Sequence, residues 1–212
     1  MKIYKRKISF FKKNSFLDNI FNSPFVIIFI NWLFQGIRGM QSKELFFRLI
    51  LELIFILFFN NIIKLNLIFS LIISHTFFWI FFCHFWVVIR YLPIYNNNLV
   101  NMNITHKNLI IKVINFKFIN EAIIIGSVSK KNKIENINSD VDLRIFFKKG
   151  FLEFFLINLF MYYLRFYSFL MKFPLDIYSY DNFSIFKKID KRDKIRIIKD
   201  HKKKIKKYLK KL

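Results

Sequence analysis

GSVSKKNKIENINSDVDLRI, residues 126–145, is the stretch that decides the fold, and PLDIY, residues 174–178, complements it. In the first stretch one apolar residue separates Asp140 from Asp142, and in the second Asp176 stands between two apolar residues. Because side chains alternate between the two faces of a strand, a strand that buries the apolar residues turns both Asp140 and Asp142 to the opposite face. The sequence therefore predicts two adjacent strands that bring three carboxylates together.

Such a cluster of carboxylates predicts a metal site. Each acid raises the pKa of its neighbours unless cations lie between them. Mg²⁺ prefers oxygen ligands and substrate phosphates. We therefore interpret Asp140, Asp142 and Asp176 as ligands of divalent metal ions. A solvated edge strand would produce the same Asp-x-Asp spacing without a metal.

Gly126 and Ser127 directly follow an apolar run, predicted as a short buried strand over 122–125. Glycine lets the backbone approach a phosphate, and a helix N-terminus behind it would offer free N–H groups and a positive dipole. The Ser127 hydroxyl adds one more donor. The pair is predicted to bind phosphate groups. The following loop either steers a triphosphate or is simply solvated, and its lysines are Lys130, Lys131 and Lys133.

The order apolar–Gly-Ser…Ser-Asp-apolar-Asp-apolar resembles the DNA polymerase beta-type nucleotidyltransferase superfamily, particularly its small bacterial and archaeal members. The resemblance covers about residues 105–180, under half of the chain. It departs from the small members in a longer interval between Ser127 and Asp140, and in the lack of their customary glycine in SKKNKIEN. The matching residues are Ile125, Gly126, Ser127, Ser139, Asp140, Val141, Asp142 and Leu143, with Asp176 at the position of the family's third acid.

The resemblance implies an α+β fold, in which a small mixed sheet is flanked by helices. It implies that Asp140 and Asp142 hold two Mg²⁺ ions, or Mn²⁺, and that Asp176 ligates the catalytic ion and helps to activate an acceptor hydroxyl. The substrate would be an NTP, with ATP as the expected nucleotide, and the acceptor a protein, small molecule, lipid or RNA. The nucleotide-binding residues would be Gly126, Ser127 and Ser139.

Composition and apolar runs in the first half predict a membrane location. The 36 Lys and Arg against 13 Asp and Glu give a net charge of +23, which favours anionic partners. Residues 67–89 contain no charged side chain and are the clearest transmembrane candidate. With 45–59, where Arg48 and Glu52 can pair across one helical turn, they predict an α-helical membrane hairpin with both ends cytoplasmic. A single span and a monotopic arrangement stay open, and 24–34 is predicted to lie in the interface.

His75, Cys83 and His84 do not form a metal site in this interpretation. The two histidines are nine residues apart and point to opposite faces of a helix. Packed or interfacial histidines are expected instead, and the single cysteine excludes an internal disulfide.

The sequence divides into four segments. Residues 1–95 are predicted as a basic arm with membrane-associated helices and 96–104 as a linker. Residues 105–186 are predicted as the nucleotidyltransferase-like domain, with Thr105 capping its first helix. Residues 187–212 are predicted as a basic helical tail on an anionic membrane, although nucleic-acid phosphates would suit the same charge. A helix over 151–171 is predicted to present one wet edge, formed by Asn158, Tyr162, Arg165 and Ser168.

These expectations describe a membrane-associated nucleotidyltransferase whose catalytic domain is cytoplasmic. Two other classes would fit the same residues. One is a membrane protein whose nucleotidyltransferase-like part only binds nucleotide or a partner, and the other is a basic RNA-binding membrane protein.

Overall fold

The computed structural model of the chain describes residues 23–35, 37–90, 92, 95–129, 133–187, 189, 193–201 and 203–209. The predicted basic arm over 1–22, the proline at 93, and Lys130 and Lys131 lie outside these ranges.

Within the described ranges the chain folds into helices around one four-stranded sheet. The helices are α1 Pro24–Phe34, α2 Ser42–Asn61, α3 Leu67–Phe82, α4 Phe85–Ile89, α5 Leu99–Asn115, α6 Phe151–Leu170 and α7 Lys204–Leu209. The strands are β1 Ile119–Ile125, β2 Val141–Phe147, β3 Leu175–Tyr180 and β4 Ile195–Asp200. Short 3₁₀ turns occur at Ile37–Gly39, Ser127–Ser129 and Ser184–Lys187.

The sheet is mixed and has the strand order β3-β2-β1-β4. Strand β1 runs antiparallel to β2 and to β4, whereas β2 and β3 run parallel. A parallel pair needs a crossover connection, and α6 provides it between β2 and β3. The predicted α+β class with a mixed sheet and flanking helices is confirmed.

The alternation in the two decisive stretches sets which side chains enter the main core. Val141, Leu143 and Ile145 are buried in one apolar cluster with residues of α5 and α6. The other face of the sheet carries the charged positions and a second, aromatic cluster, which includes Phe146 and Tyr180. The predicted strand polarity is therefore confirmed for β2.

The N-terminal helices pack directly onto the sheet domain. Helix α2 lies along α3, and both contact α6 through aromatic side chains such as Phe47 and Phe78 around Tyr162. A buried ion pair reinforces this contact, because Glu44 Oε1 lies 2.8 Å from Arg165 Nη2. Arg165 also donates to the Ile177 carbonyl oxygen of β3. The N-terminal segment and the sheet thus share one interface.

The structure does not support the predicted membrane hairpin. None of the helices in the described ranges combines the length and the apolar content needed to cross a bilayer. The run over 67–89 is not one helix, because α3 ends at Phe82 and α4 begins at Phe85. Buried charges also interrupt the apolar character of α2, where Arg48 and Glu52 do approach each other at 3.9 Å.

Three other local predictions were wrong. Helix α5 begins at Leu99, inside the predicted linker, and its N-cap is Asn98 rather than the buried Thr105. Part of the predicted helical tail is strand β4, because its isoleucines pair along β1. The predicted wet edge of α6 is buried, as all four of its polar residues face the protein: Asn158, Tyr162, Arg165 and Ser168.

We expect Glu44→Gln to destabilise the fold by about 3 kcal/mol, because it leaves the Arg165 charge buried without its counter-ion. Lys43→Gln is the matched control, since the Lys43 side chain is 62% exposed and its ion pair with Asp181 lies at the surface. Its cost should stay below about 1 kcal/mol. Denaturant unfolding of both variants measures the difference, and equal losses would contradict burial as the cause.

A second prediction concerns pH. Burial, reinforced by the nearby charge of Arg196, lowers the pKa of His106 to about 4. Because the unfolded chain binds a proton at His106 more readily than the folded chain, the free energy of unfolding is at its full value above the ordinary pKa of 6.5. The free energy of unfolding then decreases by about 3 kcal/mol as the pH falls from 6.5 to about 4. In His106→Leu this part of the pH dependence should disappear from the unfolding midpoints, and an unchanged profile would assign it to other groups.

Candidate functional site

The candidate site lies at one edge of the sheet, where β2 and β3 begin and β1 ends. Asp142 and Asp176 are paired Cα positions on the parallel strands β2 and β3. Ile125, the last residue of β1, pairs with Asp142 from the other side. Asp140 directly precedes β2 and is half-buried. The structure therefore brings together the three acids that the sequence singled out.

Gly126 turns the chain beside these acids. Its φ of +85° lies in the left-handed region, which a side chain would strain. A Cβ at this position would stand 3.4 Å from Asp142 Oδ2, so the bare backbone passes close to the carboxylate. The Ser129 hydroxyl fixes the turn by donating toward the carbonyl oxygens of Gly126 and Lys194.

The predicted phosphate-binding residues are only partly assembled. The backbone after Gly126 forms a 3₁₀ turn, Ser127–Ser129, rather than the first turn of an α-helix. Ser127 is exposed and Ser139 is half-buried. Among the described residues, neither side chain hydrogen-bonds to the acids. Both remain near the site by position, and their role stays a prediction.

Two basic groups hold the two oxygens of Asp176. Arg144 Nη2 lies 2.9 Å from Oδ2, and Arg144 Nη1 donates to the Asp176 carbonyl oxygen. His84 Nε2 lies 3.0 Å from Oδ1, at ion-pair distance but without the alignment of a hydrogen bond. Tyr178 packs against both groups, with its ring 4.8 Å from the guanidinium and 5.0 Å from the imidazole. Asp176 is consequently held in one orientation.

Asp140 has its own cation. Arg90 Nη2 lies 3.0 Å from Asp140 Oδ2, and the Arg90 side chain is almost completely buried. Its other terminal nitrogen donates to the Val87 carbonyl oxygen, which anchors the guanidinium to helix α4. The segment just after α3 therefore reaches the site at two of its three acids.

The pKa values of Asp142 and Asp176 shift in opposite directions. Burial and the carboxylates of Asp176 and Asp140 raise the pKa of Asp142 to about 8, since Arg144 is 3.7 Å away and compensates only in part. Burial would also raise the pKa of Asp176, but Arg144 and His84 outweigh it and hold that pKa well below its usual range. The pKa of Asp142 is thus raised and that of its neighbour Asp176 lowered, because Arg144 and His84 lie closer to Asp176.

The donor set fits a hard divalent cation by its chemistry. All three candidate ligands are carboxylates, and the raised pKa of Asp142 reflects a negative charge at its neighbours that a cation would relieve. Within the described part of the chain, however, no group of three or more His, Cys, Asp and Glu side chains has the arrangement of a metal site. Arg144 explains the difference, because its guanidinium occupies the position between Asp142 and Asp176.

Sequence reasoning missed His84 and Arg90 as parts of this site. Both precede the predicted domain and lie at the end of a run interpreted as a membrane span. A charged residue at the end of an apolar run is equally typical of an anchor at the membrane interface. The local sequence pattern therefore did not indicate that these side chains contact the acids. The one available hint was the excess of acids over cations in the Asp cluster itself.

No family model matches the chain, and neither the curated proteins nor the solved structures contain a match. The chemical interpretation of the site therefore rests on its geometry and on the motif described above.

Arg144→Gln should destabilise the protein at neutral pH by about 3 kcal/mol, because it removes the cation between two carboxylates. If the donor set fits Mg²⁺, adding this ion should restore part of the thermal midpoint. The double variant Asp142→Asn/Arg144→Gln should show no such recovery. Equal Mg²⁺ effects on the single and the double variant would contradict a metal at these acids.

Proposed function

We propose that the protein transfers a nucleotidyl group from an NTP, with ATP as the expected nucleotide, to a hydroxyl-bearing acceptor. The observation that carries the proposal is that Asp142 and Asp176 occupy paired positions on two parallel strands. Asp140 precedes Asp142, and the turn at Gly126 lies beside the carboxylates. Mg²⁺ prefers carboxylate oxygens and substrate phosphates as ligands, and a glycine turn lets the backbone come close to a phosphate.

In this proposal Asp140, Asp142 and Asp176 would hold two Mg²⁺ or Mn²⁺ ions. When bound, such ions stabilise the attacking and leaving oxygens of an in-line displacement at phosphorus. The acceptor oxygen forms a bond to the α-phosphorus, the bond to the β-phosphate oxygen breaks, and pyrophosphate leaves. The hydroxyl proton would pass to the Asp176 oxygen that Arg144 now holds, once a bound triphosphate gives that arginine another anionic partner.

The chain's own cations take a second role when nucleotide binds. Arg144 and Arg90 present guanidinium groups at the site, and guanidinium matches phosphate oxygens in a bidentate manner. A triphosphate gives both arginines alternative anionic partners. His84 and Tyr178 then keep Asp176 in place, since the imidazole contacts one carboxylate oxygen and the ring packs beside it. Gly126 would admit a phosphate close to the backbone, together with Ser127 and Ser139.

A second candidate is a non-catalytic nucleotide-binding protein. The specific observation in its favour is that Arg90, Arg144 and His84 already compensate the three acids. In that case the cluster is a structural ion network, and any nucleotide would bind to the arginines without reacting. The two candidates differ in whether α-phosphate chemistry depends on the acids.

The test is label transfer from NTPs carrying a labelled α-phosphate, with Mg²⁺ and a mixture of candidate acceptors. Asp142→Asn should reduce transfer by about 100-fold or more, since it removes a proposed ligand at nearly constant volume. Asp181→Asn is the matched control, because Asp181 belongs to the same domain but lies outside the Asp cluster, where Lys43 and Asn182 donate to its carboxylate. The control should retain wild-type transfer.

Nucleotide binding that is retained in Asp142→Asn, with no labelled product from either protein, would support the non-catalytic candidate. Transfer that is equal in the wild type and in Asp142→Asn would also overturn the proposal, because the reaction would then occur elsewhere. Isolating the labelled product identifies the acceptor class.

A further inference from the structure

The helices α1, α2, α3 and α6 have the reverse polarity of helices in water. On α6 the polar residues Asn158 and Arg165 are buried, while Phe151 is 85% and Leu170 57% exposed. A helix that covers a sheet in water normally shows the opposite arrangement. Apolar exposure is therefore a property of the outward side of α6 and not of a single residue.

Helices α2 and α3 repeat this reversal. The charged residues Glu44, Arg48 and Glu52 of α2 point inward. The inward polar residues of α3 are serines, and the Ser74 hydroxyl donates to the Glu52 carbonyl oxygen. Leu53 on the outer side of α2 is 54% exposed. The charged and polar groups thus satisfy one another beneath an apolar exterior.

The tryptophans follow the same pattern. Trp32 Nε1 donates to Thr76, Trp79 Nε1 to Asn31, and Trp86 Nε1 to the Phe169 carbonyl oxygen. Each indole N–H therefore has a partner inside the protein and does not depend on water. This is the requirement that an apolar surrounding imposes on polar groups.

The far end of the α2–α3 pair exposes apolar side chains on both of its arms, with Lys64 and three asparagines in the turn between them. Residues 53–69 are all described, and none of them is buried. Ile62 is 66% and Ile68 71% exposed on opposite arms of this turn. A single protein partner covers one face of a helix pair, whereas a fluid apolar phase surrounds it. The all-round exposure favours a lipid phase over a second folded chain.

Lysines border this surface at the ends of its helices. Lys64 lies in the α2–α3 turn, Lys148 and Lys149 precede α6, and Lys172 follows it; all four are exposed. Lysine side chains can bury their stems against an apolar phase and keep the charge among headgroups. With a net charge of +23, the chain is complementary to an anionic surface.

We propose that the outward sides of α1, α2, α3 and α6, here called the apolar shell, insert into one leaflet of an anionic bilayer. The shell is represented by Phe25, Leu53, Ile62, Ile68, Phe151 and Leu170. This contact is independent of the proposed reaction, because no member of the shell belongs to the Asp cluster. It makes the bilayer a partner of the folded protein through a surface that is already formed.

The test compares the full chain with two double variants in vesicle flotation. Ile62→Glu/Ile68→Glu places carboxylates in the shell. Val100→Glu/Ile104→Glu is the matched control, since these residues are 67% and 55% exposed on α5, which lies outside the shell. Both variants change the net charge equally, and Ile68 and Val100 are each the second residue of their helix. Circular dichroism and thermal unfolding confirm that each variant is folded.

Vesicles of phosphatidylcholine with phosphatidylglycerol should bind the wild type and the α5 control alike. The shell variant should bind about 100-fold more weakly, because two isoleucines leave an apolar phase. Asp142→Asn should bind like the wild type, which separates this result from any failure of the reaction. Binding that high salt abolishes and that the shell variant retains would overturn the proposal, as would the absence of vesicle binding. A lipid-free oligomer that the shell variant dissociates would also overturn it, since a second copy would then cover the shell.

Discussion

Two carboxylates at facing positions of a parallel strand pair cannot both stay ionised unless cations lie beside them. Asp142 and Asp176 occupy such positions, and Asp140 adds a third negative group. Three elements answer this repulsion: Arg144 comes from β2 itself, while His84 and Arg90 come from the chain around α4. Through His84 and Arg90, the chain around α4 is therefore part of the site.

The sheet edge could be predicted because its information is local. A period of two in Asp-Val-Asp-Leu fixes which side chains are buried whatever lies around the strand. The apolar flanks of Asp176 fix its face in the same way. Once α6 is read as a crossover, the pairing of the two strands follows from their parallel direction. The acids of the candidate site were thus available from the sequence, together with the mixed sheet.

The remaining parts of the site depend on distant contacts that no period reveals. In the sequence, His84 and Arg90 are simply the polar residues at the end of an apolar run. Only the folded chain brings them into contact with acids that lie far along the sequence. The α-helical tail was wrong for a related reason, because Ile195 and Ile197 suit either a helix or a strand until β1 offers an edge to pair with. Two side chains could have capped the N-terminus of α5. Asn98 does so by accepting a backbone N–H, whereas Thr105 is buried within the helix.

The error on α6 is the most informative one. The stripe of polar residues was found correctly, but it was assigned to water on the assumption that water is the surrounding solvent. In water, rotating α6 to expose Arg165 would remove a desolvation cost, but it would also expose Ile157, Met161 and Leu164, which now pack against the sheet. In an apolar phase the charge must find its partner inside, as Arg165 does at Glu44, and the outward apolar side chains lose nothing. The buried ion pair and the exposed apolar face of α6 are together what the proposed contact of the apolar shell with lipid requires.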